Sequence, residues 1–389
     1  MKILQVVPLN PNASGVTSVV LDLIQNLVHR GHRVGVLNTG QSAGVVRDRL
    51  IGWGVKLYDP ETNSRDWLNP FRWLQRNVPD FSLYDLAHIH TVYNPLHGLA
   101  YRALASARIP YVVSLHGSLM PGALRLRGSR KRLFLRTVVA RIFDLAAITH
   151  VLNVEENQAF QQYSPGSATW IIPNGVSDDV LLNIDQERRE LPVLSDAGQT
   201  TFVFLGRLDV YYKGLDVLLD AIALRYSEIR SAGIQLLLVG PFHSAKDERY
   251  IRKRAFSLEP IVKLVPPVFG QEKIALLRSC DVLVYPSRSE GMPMSVLEAL
   301  AVGKPCLVTP GSNMASIVVE TGAGATCELT ATSLAESMLR MAQVSRADLT
   351  QMGVKGAEWC RGNASWSRLT PKYEEMYAAA RGAGIQELS

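Results

Sequence analysis

At 389 residues, with 47% hydrophobic and only 20% charged side chains, the chain is long enough for two cored domains and too apolar for intrinsic disorder. No apolar run reaches the roughly 20 residues that a spanning helix needs, which argues against a transmembrane segment. The net charge of +6 is lopsided: residues 1–175 carry 18 Lys/Arg against 10 Asp/Glu, net +8, and the remainder carries 23 against 25, net −2. Between Leu86 and Phe143 there is no acidic residue, so an anionic partner is expected: phosphate, nucleic acid or an acidic membrane face.

In chain order, "KILQVVPL" predicts a first buried strand; its apolar part is too short for a signal peptide. "GVTSVVLDLIQNLVHRGH" places Val16, Val19, Val20, Leu23 and Leu27 at helical spacing and stops at Gly31. Strands are then predicted at "RVGVLNTG", "YDLAHIH", "YVVSLHG" and "AAITHVLN", separated by helical segments. This is the βαβ rhythm of a doubly wound parallel sheet. "WIIPNGVSDDV" interrupts it with a Pro-Asn-Gly turn and reads as an interdomain hinge. The rhythm restarts at "TTFVFLGRLD" and runs through "IQLLLVG", "VKLVPPV", "DVLVYPS" and "PCLVTP". "SWSRLTPKYEEMYAAAR" closes the chain as a helix with no strand after it.

The fold class expected is therefore α/β, with two Rossmann-like doubly wound domains facing a central cleft. Their bounds are residues 1–175 for the first and 176–365 for the second, with the helix of 366–389 packing back on the first. Ligands of such sheets bind beyond the carboxyl ends of the strands, so function is sought in those loops. Cys280, Cys306, Cys327 and Cys360 show neither CxxC pairing nor metal-ligand spacing. Buried free thiols in a reducing cytoplasm are expected.

The loop "GRLDVYYKG" puts Arg207 just after a strand and Lys213 just before a helix. A guanidinium and an ammonium near a helix start suit a diphosphate, although each alone could be a solvated surface cation. In "SRSEGMPMSVLEAL" Glu290 follows a strand and Glu298 lies inside the next helix, with seven residues between them. The start of that helix offers free N–H groups to phosphate. Two carboxylates flanking an anion seat make sense as acceptors from sugar hydroxyls. Glu298 taken alone could equally be an acid favoured by the helix dipole.

The combination of "GRLDVYYKG" with "SRSEGMPMSVLEALAVGKPCLVT", joined by "SLHG" and "IIPNGV", resembles the retaining glycosyltransferases of family 4, which have the GT-B fold. The resemblance covers most of the chain and implies that residues 1–175 form an acceptor-binding domain and residues 176–365 a nucleotide-sugar donor-binding domain. It implies that Arg207 and Lys213 hold the donor diphosphate, with Gly15 against the phosphates from the other domain. Glu290 would bind hydroxyls of the transferred sugar, helped by the backbone N–H groups of Met292 and Met294. Glu298 would bind the ribose, and Pro267 and Val268 would line the base pocket. Pro293 stands where the family often has glycine; proline donates no N–H, so one donor contact is missing. His116, a catalytic candidate with Glu290, would lie beside the reacting carbon and donate to the sugar or its phosphate. The resemblance also implies no protein nucleophile: the acceptor hydroxyl attacks from the face the diphosphate leaves, and a phosphate oxygen takes its proton.

His88 and His90 share a strand face at period two, a pattern open to metal ligation, but no third ligand accompanies them and no Asp-x-Asp occurs. No metal and no cofactor are expected; Arg207, Lys213 and a helix dipole can stabilise the leaving diphosphate. The stretch "RLRGSRKRLFLR" contributes Arg125, Arg127, Arg130, Lys131 and Arg132, and "RDWLNPFRWLQRNVPDF" adds Trp67, Phe71 and Trp73. These read either as a solvated helix face or as a peripheral contact with an anionic membrane that presents a lipid-linked acceptor. No nucleic-acid motif accompanies the charge. "TGAGATC" lacks the register of a dinucleotide fingerprint and reads as a turn.

The expectation is a retaining, metal-independent hexosyltransferase of the cytoplasm, peripheral at the inner membrane face. It would use UDP-glucose or a related UDP-hexose on a glycan or lipid-linked acceptor in envelope or exopolysaccharide assembly. The alternatives are a sugar-nucleotide epimerase of the same fold and a non-catalytic, peripheral membrane-binding protein.

Overall fold

A computed structural model describes residues 1–9, 15–40, 44–59, 80–120, 122, 139–182 and 199–383. The chain divides into two compact units, Met1–Gly175 together with Trp366–Ser389, and Val176–Ser365. The predicted membrane contacts Arg125, Arg127, Arg130, Lys131 and Arg132, and the aromatic residues Trp67, Phe71 and Trp73, lie outside the described residues. No helix among the described residues is long and apolar enough to cross a membrane.

The first unit holds seven strands: β1 (Lys2–Val7), β2 (Arg33–Asn38), β3 (Lys56–Tyr58), β4 (Leu86–His90), β5 (Tyr111–Ser114), β6 (Ile148–Val151) and β7 (Thr169–Ile171). Their spatial order is β3-β2-β1-β4-β5-β6-β7, with every pairing parallel. After Lys2, all of β1 is buried, and so is every residue of β4, β5 and β6. A parallel sheet is covered on both faces, which is why these segments are nearly continuous apolar runs. The strand order reverses between β1 and β4, the switch point at which such sheets place ligand loops. The loop after β1 leads into the helix Gly15–His29, whose buried side includes Val19, Val20, Leu23 and Leu27.

The last helix, Trp366–Ala383, belongs to this unit although 190 residues separate it from the rest. It packs on the helix Gly15–His29 and on β4 and β5. Tyr373, Met376 and Tyr377 are buried, and Glu374 takes a two-pronged contact from Arg30 at 2.8 and 2.7 Å. At Gly175 any Cβ would lie 2.4 Å from the Trp366 ring, so glycine is what lets this helix seat.

The second unit holds β8 (Thr200–Leu205), β9 (Ile234–Val239), β10 (Val262–Val265), β11 (Val282–Tyr285), β12 (Cys306–Val308) and β13 (Gly324–Thr326), in the order β10-β9-β8-β11-β12-β13. All pairings are again parallel. The four cysteines are free and buried.

Three elements differ from expectation. β3, β7 and β13 were not foreseen: Trp170 and Ile171, read as part of a hinge, belong to β7, and "TGAGATC" contains both a turn at Gly322 and a strand after it. Each is a three-residue strand at a sheet edge, covered on too little of its surface to need an apolar run.

Candidate active site

Two loops of the second unit meet at the carboxyl ends of β8 and β11. The first runs from β8 to the helix Leu215–Leu224 and carries Arg207 and Lys213. Gly214, with φ +65°, sits where a Cβ would be 1.9 Å from the Pro286 carbonyl oxygen. Only glycine permits that approach, and it brings Lys213 against the second loop. There the Lys213 Nζ donates to Glu290 Oε1 at 2.5 Å and to the Tyr285 hydroxyl at 2.6 Å. Ser287 Oγ lies 2.6 Å from the same Glu290 oxygen. Oε2 of Glu290 has no partner among the described residues. Burial opposes the ammonium charge, but the Glu290 carboxylate and Tyr285 outweigh it, and the Lys213 pKa is raised overall. Burial, with Glu290 adding to it, pushes the Tyr285 hydroxyl up to about 12.

The acidic loop is fixed from behind by the segment after β12. Glu290 N donates to the Gly311 carbonyl at 2.9 Å, Asn313 Nδ2 donates to the Glu290 carbonyl at 2.6 Å, and Thr309 Oγ1 donates to the Ser287 carbonyl at 2.8 Å. Arg288 points away from Glu290: it forks onto Asp216 with two bonds of 2.7 Å and lies over the Tyr211 ring. Glu290 is therefore held rigidly, with one oxygen committed and one available.

Arg207 is half exposed, and its Nη2 lies 3.6 Å from Oδ2 of the buried Asp209. Asp209 Oδ1 accepts from Tyr212 N at 2.9 Å, which tightens the loop. The helix Met294–Ala301 begins directly after Pro293 with no side-chain cap; Met292 is buried and Met294 half-buried. Glu298 is buried, and its Oε1 accepts from Lys273 Nζ at 2.6 Å. Burial raises the Glu298 pKa, against the pull of Lys273. Pro267 and Val268 follow β10, Pro267 exposed and Val268 half-buried.

In the first unit, Gly15 opens its helix and is exposed. His116 sits beyond β5 with φ +49°, an uncommon conformation for a side chain of this size. Its Nε2 lies 3.0 Å from His90 Nδ1, and His90 Nε2 lies 2.7 Å from Gln5 Oε1. His88 Nδ1 meets the Tyr377 hydroxyl at 2.8 Å, and its Nε2 meets Ser114 Oγ at 2.6 Å. All four ring nitrogens of His88 and His90 thus have protein partners. Burial, with help from His150, depresses the His116 pKa to about 3. The next residue, Gly117, donates its N–H to the buried Glu156 carboxylate, which also accepts from Leu152 N at 2.7 Å.

Residues 13–180 match the family described as Glycosyltransferase Family 4, and residues 199–343 match Glycosyl transferases group 1. The chain belongs to the family 4 glycosyltransferases. Phosphatidyl-myo-inositol mannosyltransferase of Mycobacterium leprae is 29% identical over 306 residues, covering 76% of this chain and 74% of its own. The enzyme of the same name from Mycolicibacterium smegmatis is 26% identical over 380 residues, 96% and 92% of the two chains. Among solved structures, Anabaena HepE in complex with UDP-glucose superposes with a TM-score of 0.78 at 20% identity, covering 97% of this chain and 100% of that one. The fold is GT-B.

For a glycosyltransferase of this family, the residues singled out in sequence fall into two groups. Lys213 and Glu290 are brought into contact, Arg207 lies on the Lys213 loop, and Glu298 lies on the helix that follows Glu290. Pro267 and Val268 follow β10 of the same unit, and Gly15 and His116 belong to the first unit. The residues missed are the partners: Tyr285, Ser287, Asn313 and Lys273. Tyr285 and Ser287 were within reach, since both stand in the stretch that leads to Glu290. Lys273 and Asn313 join it only through the fold.

Proposed function

We propose that this family 4 enzyme is a retaining hexosyltransferase that takes a hexose from a nucleotide diphosphate sugar, UDP-glucose or a related UDP-hexose. The acceptor would be a glycan or a lipid-linked glycan in envelope or exopolysaccharide assembly. The observation that carries the reading is the convergence of Lys213, Tyr285 and Ser287 on one oxygen of Glu290, which leaves its other oxygen to accept from sugar hydroxyls. Lys213 and the half-exposed Arg207 supply positive charge for the diphosphate, with the N–H groups of Met292 and Met294 beside them. Glu298 takes the ribose, Pro267 and Val268 take the base, and Gly15 approaches the phosphates. Two similar proteins support the reading: the mycobacterial relatives are phosphatidyl-myo-inositol mannosyltransferases, and HepE was solved with UDP-glucose.

In the reaction, the bond between the anomeric carbon and the leaving phosphate oxygen breaks on the face where the acceptor oxygen bonds to that carbon. The acceptor proton passes to a phosphate oxygen. No divalent ion is needed where two cations and a helix N-terminus already meet the developing negative charge. The protein's share is positioning and charge stabilisation. The basic stretch from Arg125 to Arg132 would meet an anionic membrane face and keep the enzyme peripheral on the cytoplasmic side.

Thermal unfolding with UDP, GDP, ADP and their sugar conjugates, with and without chelator, tests this. A ligand at a hundred times its Kd adds about 2.7 kcal/mol of stability, a shift that is easily seen. A response to the UDP conjugates that chelator leaves alone is expected. A response to GDP-mannose alone would move the donor to the sugar named in the mycobacterial relatives, and no response to any nucleotide would overturn the proposal.

A further inference from the structure

One face of the first sheet carries a row of polar side chains on adjacent strands. Gln5 on β1 is in register with His88 on β4, His90 on β4 with Ser114 on β5, and Ser114 with His150 on β6. His88 and His90 share that face because strand side chains alternate. Tyr377, from the last helix, covers them. All of these side chains are buried, so each proton must have an acceptor, and that requirement fixes the direction of every bond.

The starting point is a group that cannot titrate. The Ile172 carbonyl can only accept, so His150 Nε2, 2.8 Å away, carries the proton. Burial holds the His150 pKa down to about 4, so the ring is neutral and its Nδ1 is an acceptor. Ser114 Oγ, at 2.5 Å, must donate to it. Having spent its one proton, Ser114 must accept from His88 Nε2. Burial keeps His88 neutral as well, so Tyr377 donates to His88 Nδ1. The Tyr377 oxygen is then free to accept from Gln5 Nε2 at 3.4 Å. This orients the Gln5 amide so that its carbonyl oxygen faces His90 Nε2, which donates. His90, also kept neutral by burial, presents Nδ1 as an acceptor, and the remaining partner is His116 Nε2. Seven bonds thus point one way, from His116 to the Ile172 carbonyl. At the open end, His116 Nδ1 has no partner among the described residues.

We propose that this chain locks His116 in the tautomer protonated at Nε2, so that its bare Nδ1 accepts a hydrogen bond from a sugar hydroxyl. Gln5, His90 and Tyr377 are positioning residues for that atom. The inference deepens the glycosyl-transfer reading and rests on it for the identity of the hydroxyl. It reverses the donor role that the family resemblance implies for His116. A side chain that faces a polyhydroxyl ligand as an acceptor discriminates by hydroxyl placement, because a hydroxyl can turn its proton towards it while a phosphate oxygen has none to give.

The first experiment needs no turnover. In the full chain labelled with 15N-histidine at neutral pH, correlations between ring nitrogens and carbon-bound ring protons distinguish the two tautomers. His116 should show a protonated Nε2 and a bare Nδ1; a proton on Nδ1 overturns the proposal. The second uses Tyr377→Phe, which removes one hydroxyl three hydrogen bonds away from His116. Turnover should fall about tenfold with the donor KM little changed, and the His116 signals should show mixed tautomers. In a His116→Ala background the same substitution should change turnover less than about twofold. Equal losses in the two backgrounds would mean a purely structural effect and overturn the relay. A protein that is inactive with every donor while His116 keeps the stated tautomer would sink the glycosyl-transfer reading and leave the proton chain standing.

Discussion

The two units solve the same problem, polar groups under cover, in opposite ways. In the first, burial strips the charge: His88, His90, His97, His116 and His150 all have depressed pKa values and survive as neutral links in hydrogen-bond chains. In the second, charge is kept and each cation meets a carboxylate: Lys213 with Glu290 at 2.5 Å, Lys273 with Glu298 at 2.6 Å, Arg288 with Asp216 at 2.7 Å. A covered charge persists only where a partner repays its desolvation. The lesson is a division of labour. The neutral lattice suits the recognition of hydroxyls, and the charged one suits a diphosphate.

Acid should break this comparison most strongly. Below about pH 6.5 the unfolded chain binds protons that the five folded histidines refuse, so stability is lost as pH falls from about 6.5 towards 4. Each such histidine contributes a slope of up to about 1.4 kcal/mol per pH unit, several kcal/mol in all. Hydrogen exchange read by mass spectrometry at pH 7 and pH 5 should show the first unit opening before the second. Equal loosening of both would refute the neutral-histidine account.

Removing a cation attacks the other side. Lys213→Met leaves Glu290 covered and unpaired and should cost the second unit about 3–5 kcal/mol in urea unfolding. Adding Glu290→Gln should recover part of the loss, and strict additivity of the two changes would argue against coupling. Arg207→Ala is smaller: its side chain is 55% exposed, so stability should hold. Nucleotide diphosphate affinity should drop about 10- to 100-fold by calorimetry, the worth of a charged hydrogen bond or two; unchanged affinity removes Arg207 from the diphosphate site.

A single carboxyl sharpens the contrast within the first unit. Glu156 is a buried carboxyl there, its pKa pushed up to about 7 by burial against two backbone N–H donors. The folded chain holds its proton between about pH 4.5 and 7, so its contribution to stability falls as pH rises through that window, opposite to the histidines. Relative to Glu156→Gln, the wild type should lose up to about 1.4 kcal/mol per pH unit there. A pH-independent difference between the two would refute the assignment.

The long central strands were legible because a parallel sheet buries both faces, and "ILQVV", "FVFL" and "QLLLV" have no other use for so many apolar residues. The edge strands at Lys56, Thr169 and Gly324 were not, since an edge of three residues carries no such demand. At the site, Arg207, Lys213, Glu290 and Glu298 stood out because each falls in or just after a loop that follows a strand. Lys273 did not, because its link to Glu298 exists only through the packing of two helices. The pair His88 and His90 was visible as a period-two pattern, open to metal ligation but set aside for want of a third ligand. What the sequence could not show was Tyr377, which arrives from the far end of the chain and takes up a nitrogen of His88.

That late arrival has a consequence for how the protein is made. The second unit is one uninterrupted segment, 176–365, and can close its sheet while still near the ribosome. The first 175 residues emerge earlier, yet they lack the helix that seats on Gly175 and completes the cover over β4 and β5. The half synthesised first is therefore the half finished last. Until residue 377 is released, its row of histidines faces water, and a chaperone that protects nascent chains would find its longest-lived client surface there.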